Sequence, residues 1–230
     1  IDALWSRIAV PSTTHESRAR LIDLASPAEA QRSAAGEPDA AAVAGAATRY
    51  SIPHIAVDHC PADIGLPTGR WRGNADSYTC FFTESFIDEL AAKAKQDPLS
   101  YRIAMLGKEA LLAKCLLSAT SLGGWEGGVS GSGQGLACHS MHGSHIALMA
   151  AVRPAEGGFK VERLTAVVDV GRVINPEVTR QQIEGGLIFG LAAACGATSS
   201  YKDGRASARK LHQLGLPNLA QSPEILVELI

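Results

Sequence analysis

The sequence has few aromatic residues, almost no net charge and no long apolar run, and each shortage excludes a class of protein. Aromatics make up 5% of the 230 residues, too few for the stacking platforms that bind single-stranded nucleic acids. Lys and Arg number 21 against 23 Asp and Glu, a net charge of −2, which provides no basic surface for nucleic acid. No apolar run approaches the roughly 18 residues of a membrane span. We therefore expect neither a nucleic-acid partner nor a membrane-spanning segment.

The cysteines are too few and too widely spaced for a disulfide framework. There are five, at 60, 80, 115, 138 and 195, and no Cys-x-x-Cys pair occurs. This pattern also argues against a cysteine-based zinc or iron–sulfur site. The chain begins without Met and its last residues read as a strand, so we expect a piece of a longer protein.

The order of the elements predicts an α+β fold with mixed sheets and packed helices. Residues 1–49 show little pattern and predict an irregular N-terminal segment, followed by a partial domain over residues 50–230. Seven glycines between Gly123 and Gly135 predict a loop that divides a helical part from a part with strands and a helix.

Local signals place the individual elements. Thr83 is a candidate cap for one helix, and Asp97-Pro98 and Asn175-Pro176 are typical helix starts. The last of these helices would run to about Cys195. Its three interior glycines predict close packing against another backbone. Strands are expected at 50–57, 134–139, 145–152, 159–170 and 224–230, with hairpin turns at 156–158 and 203–204.

A cluster of histidines offers one candidate metal site. His139, His142 and His145 recur at every third position beside Cys138. On one strand this spacing divides them between two faces, so only a tight turn at Gly143 could gather them around zinc or copper. A small Cys/His metal-binding protein therefore stays open as an alternative.

Two further catalytic patterns are missing. The glycine-rich stretch 131–135 lacks the Gly-Lys-Ser/Thr of a phosphate-binding loop, and no Gly-x-Ser-x-Gly occurs. The sequence therefore supports neither nucleotide binding nor a serine hydrolase.

Five motifs follow one another along the chain. They are Pro67-Thr68-Gly69-Arg70-Trp71-Arg72, the stretch 81–90 (FFTESFIDEL) with Asp97-Pro98 behind it, Gly133-x-Gly135-x-Ala137-x-His139, Asp169-x-Gly171-x-x-x-Asn175-Pro176, and Gln182-x-Glu184-Gly185-Gly186. In this order the chain resembles, over roughly residues 50 to 204, the molybdopterin-binding large subunit of the xanthine dehydrogenase / aldehyde oxidase family, in particular its isoquinoline 1-oxidoreductase beta-subunit-like branch.

The resemblance implies a molybdenum–molybdopterin cofactor, of the cytosine dinucleotide form in this branch. It implies hydroxylation of aldehydes or N-heterocyclic carbons with oxygen that comes from water. The electrons would leave through iron–sulfur clusters on a separate small subunit. In this arrangement the cofactor carries the redox chemistry, and the protein supplies position and charge.

Four residues match positions of the family's site. Arg72 matches the arginine whose backbone amide faces the molybdenum centre, and Gly73 beside it would allow close approach. Gln182 matches the glutamine that hydrogen-bonds the pterin. Asn74 stands where the family usually has an apolar or aromatic substrate-pocket residue. By residue type alone, Arg72 and Gln182 would be solvated surface side chains.

A second alternative arises because the motif that carries the family's general base is not found at its expected place. This base is a glutamate in a Gly-Glu-Pro-like motif near the C-terminus, and no such motif follows the Gln182 helix in this sequence. No catalytic residue is therefore assigned, and a non-catalytic relative remains an alternative to a fragment or subunit of a molybdenum hydroxylase.

Overall fold

The computed structural model describes residues 1–129 and 131–230. The helices are α1 (Thr13–Leu21), α2 (Pro27–Ala34), α3 (Asp76–Lys93), α4 (Pro98–Leu106), α5 (Ala110–Gly123) and α6 (Pro176–Ala194). The strands are β1 (Ala3–Val10), β2 (His54–Pro61), β3 (Gln134–Met141), β4 (Ser144–Ala155), β5 (Gly158–Asp169), β6 (Tyr201–Lys202), β7 (Arg205–Ala206) and β8 (Glu224–Leu229). Short 3-10 helices lie at Ala40–Val43, Leu211–Leu214 and Leu219–Gln221. Over these two ranges, no helix combines the length and the apolar character that a membrane crossing needs.

The strands form parallel and antiparallel pairs, which confirms the predicted α+β fold with mixed sheets. β1 and β2 are parallel, and the larger sheet has the order β3-β4-β5-β8, with β4 antiparallel and β8 parallel to β5. β6 and β7 form a separate hairpin. The chain divides into two compact units. The first comprises Ile1–Ala110 with His139–Met141, and the second comprises Leu111–Cys138 with His142–Ile230.

The sequence predicted an irregular segment over residues 1–49, whereas the structure has β1, α1 and α2 in this segment. α2 has a capping box in which Ser26 and Glu29 bond each other's backbone. α1 has no side-chain cap and no apolar stripe, and its buried face includes Glu16 and Ser17. A helix whose inward face is polar lacks the apolar periodicity by which helices are recognised. The domain boundary at residues 49 and 50 stays a prediction.

Asp39 connects α1 to the 3-10 helix at Ala40–Val43 by hydrogen bonds. Its carboxylate accepts the N–H of Thr14 at 2.8 Å and the N–H of Ala41 at 2.9 Å. Burial alone would raise the pKa of Asp39, but the hydrogen bonds from Thr14 and Ala41 outweigh burial and hold the pKa below its usual value. Asp39 therefore stabilises the folded chain as an anion.

Asp39→Asn is expected to lower the free energy of unfolding by about 2 kcal/mol at pH 7, because an amide cannot accept from both N–H groups. A carboxyl whose pKa is depressed by folding contributes fully above its unfolded pKa of about 3.9, and this contribution disappears as the pH falls through the folded value. Urea unfolding should thus show a difference from wild type that shrinks below about pH 4. The exposed Asp23→Asn is the control, and a difference independent of pH would contradict the role given to the charge.

α3 begins seven residues before its predicted start at Thr83. Its first turn, residues 76–79 (DSYT), is polar and escapes an apolar-stripe search. This turn is held instead by hydrogen bonds. The hydroxyl of the fully buried Thr79 lies within hydrogen-bond distance of the carbonyls of Ala44 and Ala75, and the Tyr78 hydroxyl donates to the Ala42 carbonyl. The Asp97-Pro98 start of α4 is confirmed, with the Asp97 side chain accepting from Ser100 N–H.

β2 lies four residues beyond the strand predicted at 50–57. Its polar residues are the reason, because they have specific partners. Asp58 accepts from the Trp5 indole N–H at 2.7 Å, and one His59 ring nitrogen lies 2.9 Å from the Val10 carbonyl. Pairing with β1 thus uses side chains that period-2 apolar patterning does not detect.

The second unit has a core built from one face of α5 and the larger sheet. The buried positions of α5 follow the helical period and are Leu112, Cys115, Leu116, Ala119, Thr120 and Gly123. On β4, Ala147 and Met149 alternate inward, and β5 is buried continuously from Leu164 to Val168. A strand buried on both faces is typical of a central position in a sheet.

α6 begins as predicted, with Asn175 accepting the N–H of Val178 at 3.1 Å and Pro176 in the first turn. The helix is mostly half-buried or exposed, and Leu191 and Ala192 are its buried residues. The expected close backbone packing is wrong at Gly190, where an added Cβ would meet no described atom within 4 Å.

Candidate functional site

The loop that carries Arg72 connects β2 to α3 and is anchored at Thr68. We call residues 62–75 the Arg72 loop. The Thr68 N–H donates to Glu16 Oε1 at 2.7 Å, its hydroxyl donates to Glu16 Oε2, and its carbonyl accepts from Arg20 Nη2. No sequence pattern indicates this contact, because the residues lie about 50 positions apart.

Beyond Thr68 the loop is presented to the surface. Arg70, Trp71 and Arg72 are exposed, and Trp71 keeps 67% of its accessible area. A large exposed indole between two guanidinium groups is unusual for a solvated loop, and contiguous exposed apolar groups often mark a binding surface.

Gly73 and Asn74 form a left-handed turn directly before α3. Their φ angles are +84° and +48°, and Asn74 N–H donates to Trp71 O at 2.9 Å. A Cβ on Gly73 would be in ordinary contact with Ser77, so the glycine is required by its backbone angle rather than by a lack of space. Ser77 in turn donates its hydroxyl to Asn74 O at 2.8 Å. Both ends of the segment 69–73 are thus fixed.

The groups at this turn suit an anionic ligand. α3 has 18 residues and begins at Asp76, and its N-cap residue, Ala75, offers no side-chain hydrogen bond. The carboxylate of Asp76 in the first turn offsets part of the positive end of the helix dipole, so the positive charge at this turn comes mainly from arginine side chains. The guanidinium groups of Arg70 and Arg72 lie just ahead of α3 along the chain. Backbone N–H groups with nearby guanidinium groups form a typical phosphate-binding donor set. A phosphate-bearing cofactor therefore fits this part of the chain.

Gln182 lies in the second turn of α6 and is exposed. Val178, one turn earlier on the same face, is half-exposed, and Ile174 before the helix is 81% exposed. An amide side chain offers both donors and an acceptor to a heterocycle. The structure thus presents Gln182 from a helix whose first turns have little packing of their own.

Arg72, Gly73 and Asn74 lie together in the first unit, whereas Gln182 belongs to the second unit. A site that contains all four stays a prediction.

The histidine cluster does not form a metal site in the part of the chain that the structure describes, where no group of three His, Cys, Asp or Glu is placed to hold an ion. His142 and Gly143 form a two-residue turn with positive φ between β3 and β4. His139 Nε2 instead lies 2.9 Å from Asp76 Oδ1. Burial raises the pKa of the Cys80 thiol to about 12 and also raises that of Cys115, so neither thiol is a ready ligand or nucleophile.

A Gly-Glu-Pro tripeptide occurs at residues 36–38, but ahead of the other motifs rather than behind them. It forms the turn after α2, where Gly36 has φ +76° and the Glu37 carbonyl accepts from the Ser12 hydroxyl. The Glu37 side chain is exposed. Its position in the chain differs from that of the family's general base, and no catalytic role is assigned to it.

Comparison with known proteins identifies relatives over most of the chain. The family model described as a molybdopterin cofactor-binding domain matches residues 24–223. Isoquinoline 1-oxidoreductase subunit beta of Brevundimonas diminuta is 26% identical over 192 residues, which cover 81% of this chain and 25% of that protein. The membrane-bound aldehyde dehydrogenase (pyrroloquinoline-quinone) of Gluconacetobacter polyoxogenes is 23% identical over 223 residues, which cover 85% of this chain and 29% of that protein. The chain thus spans less than a third of the length of either relative.

Proposed function

Because the chain belongs to the molybdopterin cofactor-binding domain family, we propose that it forms part of the molybdenum cofactor site of an oxidoreductase that hydroxylates aldehydes or N-heterocyclic carbons. Isoquinoline 1-oxidoreductase and an aldehyde dehydrogenase are among its relatives by name, and both substrate classes are consistent with those names. The cytosine dinucleotide form of the cofactor belongs to this proposal.

The observation that carries the proposal is the turn at Gly73 and Asn74. Two consecutive positive φ angles expose backbone at the uncapped start of α3, next to the exposed Arg72. A backbone that must approach a ligand closely is a recognised use of glycine with positive φ. The adjoining guanidinium groups of Arg70 and Arg72 favour an anion at the same place.

Each residue has a distinct task in this proposal. Arg72 and Gly73 present backbone and charge to the cofactor, and Gln182 hydrogen-bonds the pterin ring. Asn74, the next residue after the left-handed glycine, borders the substrate. The bound cofactor supplies the two-electron redox step. The chain's own residues fix its orientation and exclude water from it.

An iron–sulfur small subunit is the proposed electron-accepting partner. The relative from Brevundimonas diminuta is named as a beta subunit, which is consistent with a multi-subunit assembly. The general base is not assigned to a residue of this chain.

Gln182→Ala is expected to reduce bound molybdenum by about 5- to 150-fold, since losing a hydrogen bond inside a dry site costs on the order of 1–3 kcal/mol. The chain would be purified, with its companion subunits, from a host that makes molybdenum cofactor. Molybdenum is measured by mass spectrometry and the pterin by fluorescence of its oxidation product. Gln181→Ala changes a neighbour that is also exposed, and this matched control should keep its cofactor.

Gly73→Ala gives the corresponding test of the loop, with Gly65→Ala as its control. Both glycines have positive φ, +84° and +67°, and neither Cβ would clash, so both variants carry similar backbone strain. Only Gly73→Ala should lose molybdenum. Wild-type protein without molybdenum and pterin, or equal retention by both members of each pair, would contradict the proposed site.

A further inference from the structure

We infer that Glu16 and Arg20 of α1 are positioning residues that hold the Arg72 loop in its cofactor-binding conformation, an inference that rests on the proposed function. Neither residue belongs to the motifs of the family, and α1 lies outside the span of the resemblance. The contact that carries the inference is the one between α1 and Thr68.

The burial of Glu16 is what distinguishes this contact from an ordinary loop anchor. Glu16 is 3% exposed, and a buried carboxylate is costly unless its oxygens are hydrogen-bonded. Both oxygens accept from Thr68, one from its N–H at 2.7 Å and one from its hydroxyl. Both oxygens of the buried Glu16 carboxylate thus bind the same loop residue, Thr68.

Arg20, one turn later on the same helix, also binds Thr68, and we call Glu16 and Arg20 together the clamp. Its Nη2 donates to the Thr68 carbonyl, and its Nε lies 3.7 Å from Glu16 Oε1. The N–H, hydroxyl and carbonyl of Thr68 are therefore all held by one i,i+4 ion pair. Because this fixes the peptide planes on both sides of Thr68, it fixes the direction in which the chain leaves toward Arg72.

The distance along the chain makes the clamp relevant to the site. Thr68 stands four residues before Arg72, and the other end of the segment is held at Asn74 by Trp71 and Ser77. Five residues between two fixed points have little freedom, and such pre-organisation reduces the entropy that ligand binding must otherwise overcome. Without the clamp the turn at Gly73 would be fixed at one end only.

Glu16→Ala is expected to raise the rate of trypsin cleavage after Arg70 and Arg72 about tenfold in the full chain, the factor that corresponds to 1.4 kcal/mol of loop stability. Cleavage sites are identified by mass spectrometry, and circular dichroism verifies the fold. The matched control is Glu29→Ala, which removes a carboxylate that bonds Ser26 and not the loop. It should leave cleavage at these two arginines unchanged.

Thr68 provides a test that leaves the buried carboxylate in place, in case Glu16→Ala does not fold. Thr68→Val is isosteric and removes one donor to Glu16, so cleavage should increase, whereas Thr68→Ser keeps all three polar groups and should match wild type. Unchanged cleavage in folded Glu16→Ala and in Thr68→Val would overturn the inference.

Molybdenum content separates this inference from the function on which it rests. If the inference holds, Glu16→Ala and Thr68→Val lose molybdenum in proportion to the increase in cleavage. Faster cleavage with unchanged molybdenum would leave the clamp standing and overturn the cofactor role of the Arg72 loop.

Discussion

Replacing Arg102 by alanine is expected to lower the free energy of unfolding by about 3–5 kcal/mol, because it leaves a buried carboxylate without its counter-charge. Arg102 is 0% exposed. Its Nε lies 3.0 Å from Glu84 Oε2, and Nη1 lies 2.6 Å from Asp88 Oδ1. Further donations reach the carbonyls of Glu84 and Pro98, and the Tyr50 hydroxyl donates to Glu84 Oε1 at 2.9 Å. This network joins α3, α4 and the segment before β2.

The charge of Arg102 persists at every accessible pH. Burial alone would lower its pKa, but the negative charges of Glu84 and Asp88 outweigh burial and raise the pKa above its usual value. Removing the guanidinium therefore leaves the carboxylate of Glu84, which is 5% exposed, buried without its counter-charge. Asp88 is half-exposed and can be rehydrated.

Urea unfolding followed by circular dichroism measures the effect, with Arg180→Ala as the matched control. Arg180 also forms a helical ion pair, with Glu177 at 2.7 Å, but both side chains are exposed. Its loss should cost about 0.5 kcal/mol or less. If the two alanine variants unfold at similar urea concentrations, the buried network contributes no more than a surface pair and the expectation fails.

The elements that the sequence predicted correctly are those defined by neighbouring residues. Asp97-Pro98 and Asn175-Pro176 each combine a capping side chain with a proline of suitable φ, and the structure has a helix at both. The turn at Glu156 and Gly157 and the strands on either side of it lie where alternation and glycine placed them. Such signals act over four or five residues, so tertiary contacts seldom override them.

The elements that the sequence missed depend on partners far along the chain. α1 has a polar buried face because Glu16 meets Thr68, 52 residues later. The Arg102 network looks in sequence like ordinary helical charges, since nothing local indicates that Glu84 is buried. The motifs around Arg72 and Gln182 could be recognised by resemblance alone, because the individual residue types are those of a solvated surface.

Gly133→Ala is the second substitution with a large expected effect, a loss of about 3 kcal/mol of unfolding free energy. Gly133 opens the Gly-x-Gly motif before β3 and has φ +66°, which costs a side-chain-bearing residue roughly 1–2 kcal/mol. Its Cβ would also overlap the carbonyl oxygen of Val152, and that overlap adds a penalty of similar size. Because backbone rather than a flexible side chain opposes the Cβ, the strand itself must move. Movement would weaken the bond in which Val152 N–H donates to Gly133 O at 2.7 Å.

Gly135, two residues later in the same motif, provides the matched control. A Cβ there would meet no described atom within 4 Å, and its φ is not in the left-handed region. Gly135→Ala lies within β3 and should leave stability unchanged or raise it by a few tenths of a kcal/mol, since alanine has less freedom to lose on folding. The test compares the urea concentrations at which Gly133→Ala and Gly135→Ala are half unfolded. Equal midpoints would contradict the expected loss of stability. A lower midpoint for Gly133→Ala alone would locate the glycine requirement at position 133, where the positive φ and the approach of Val152 coincide.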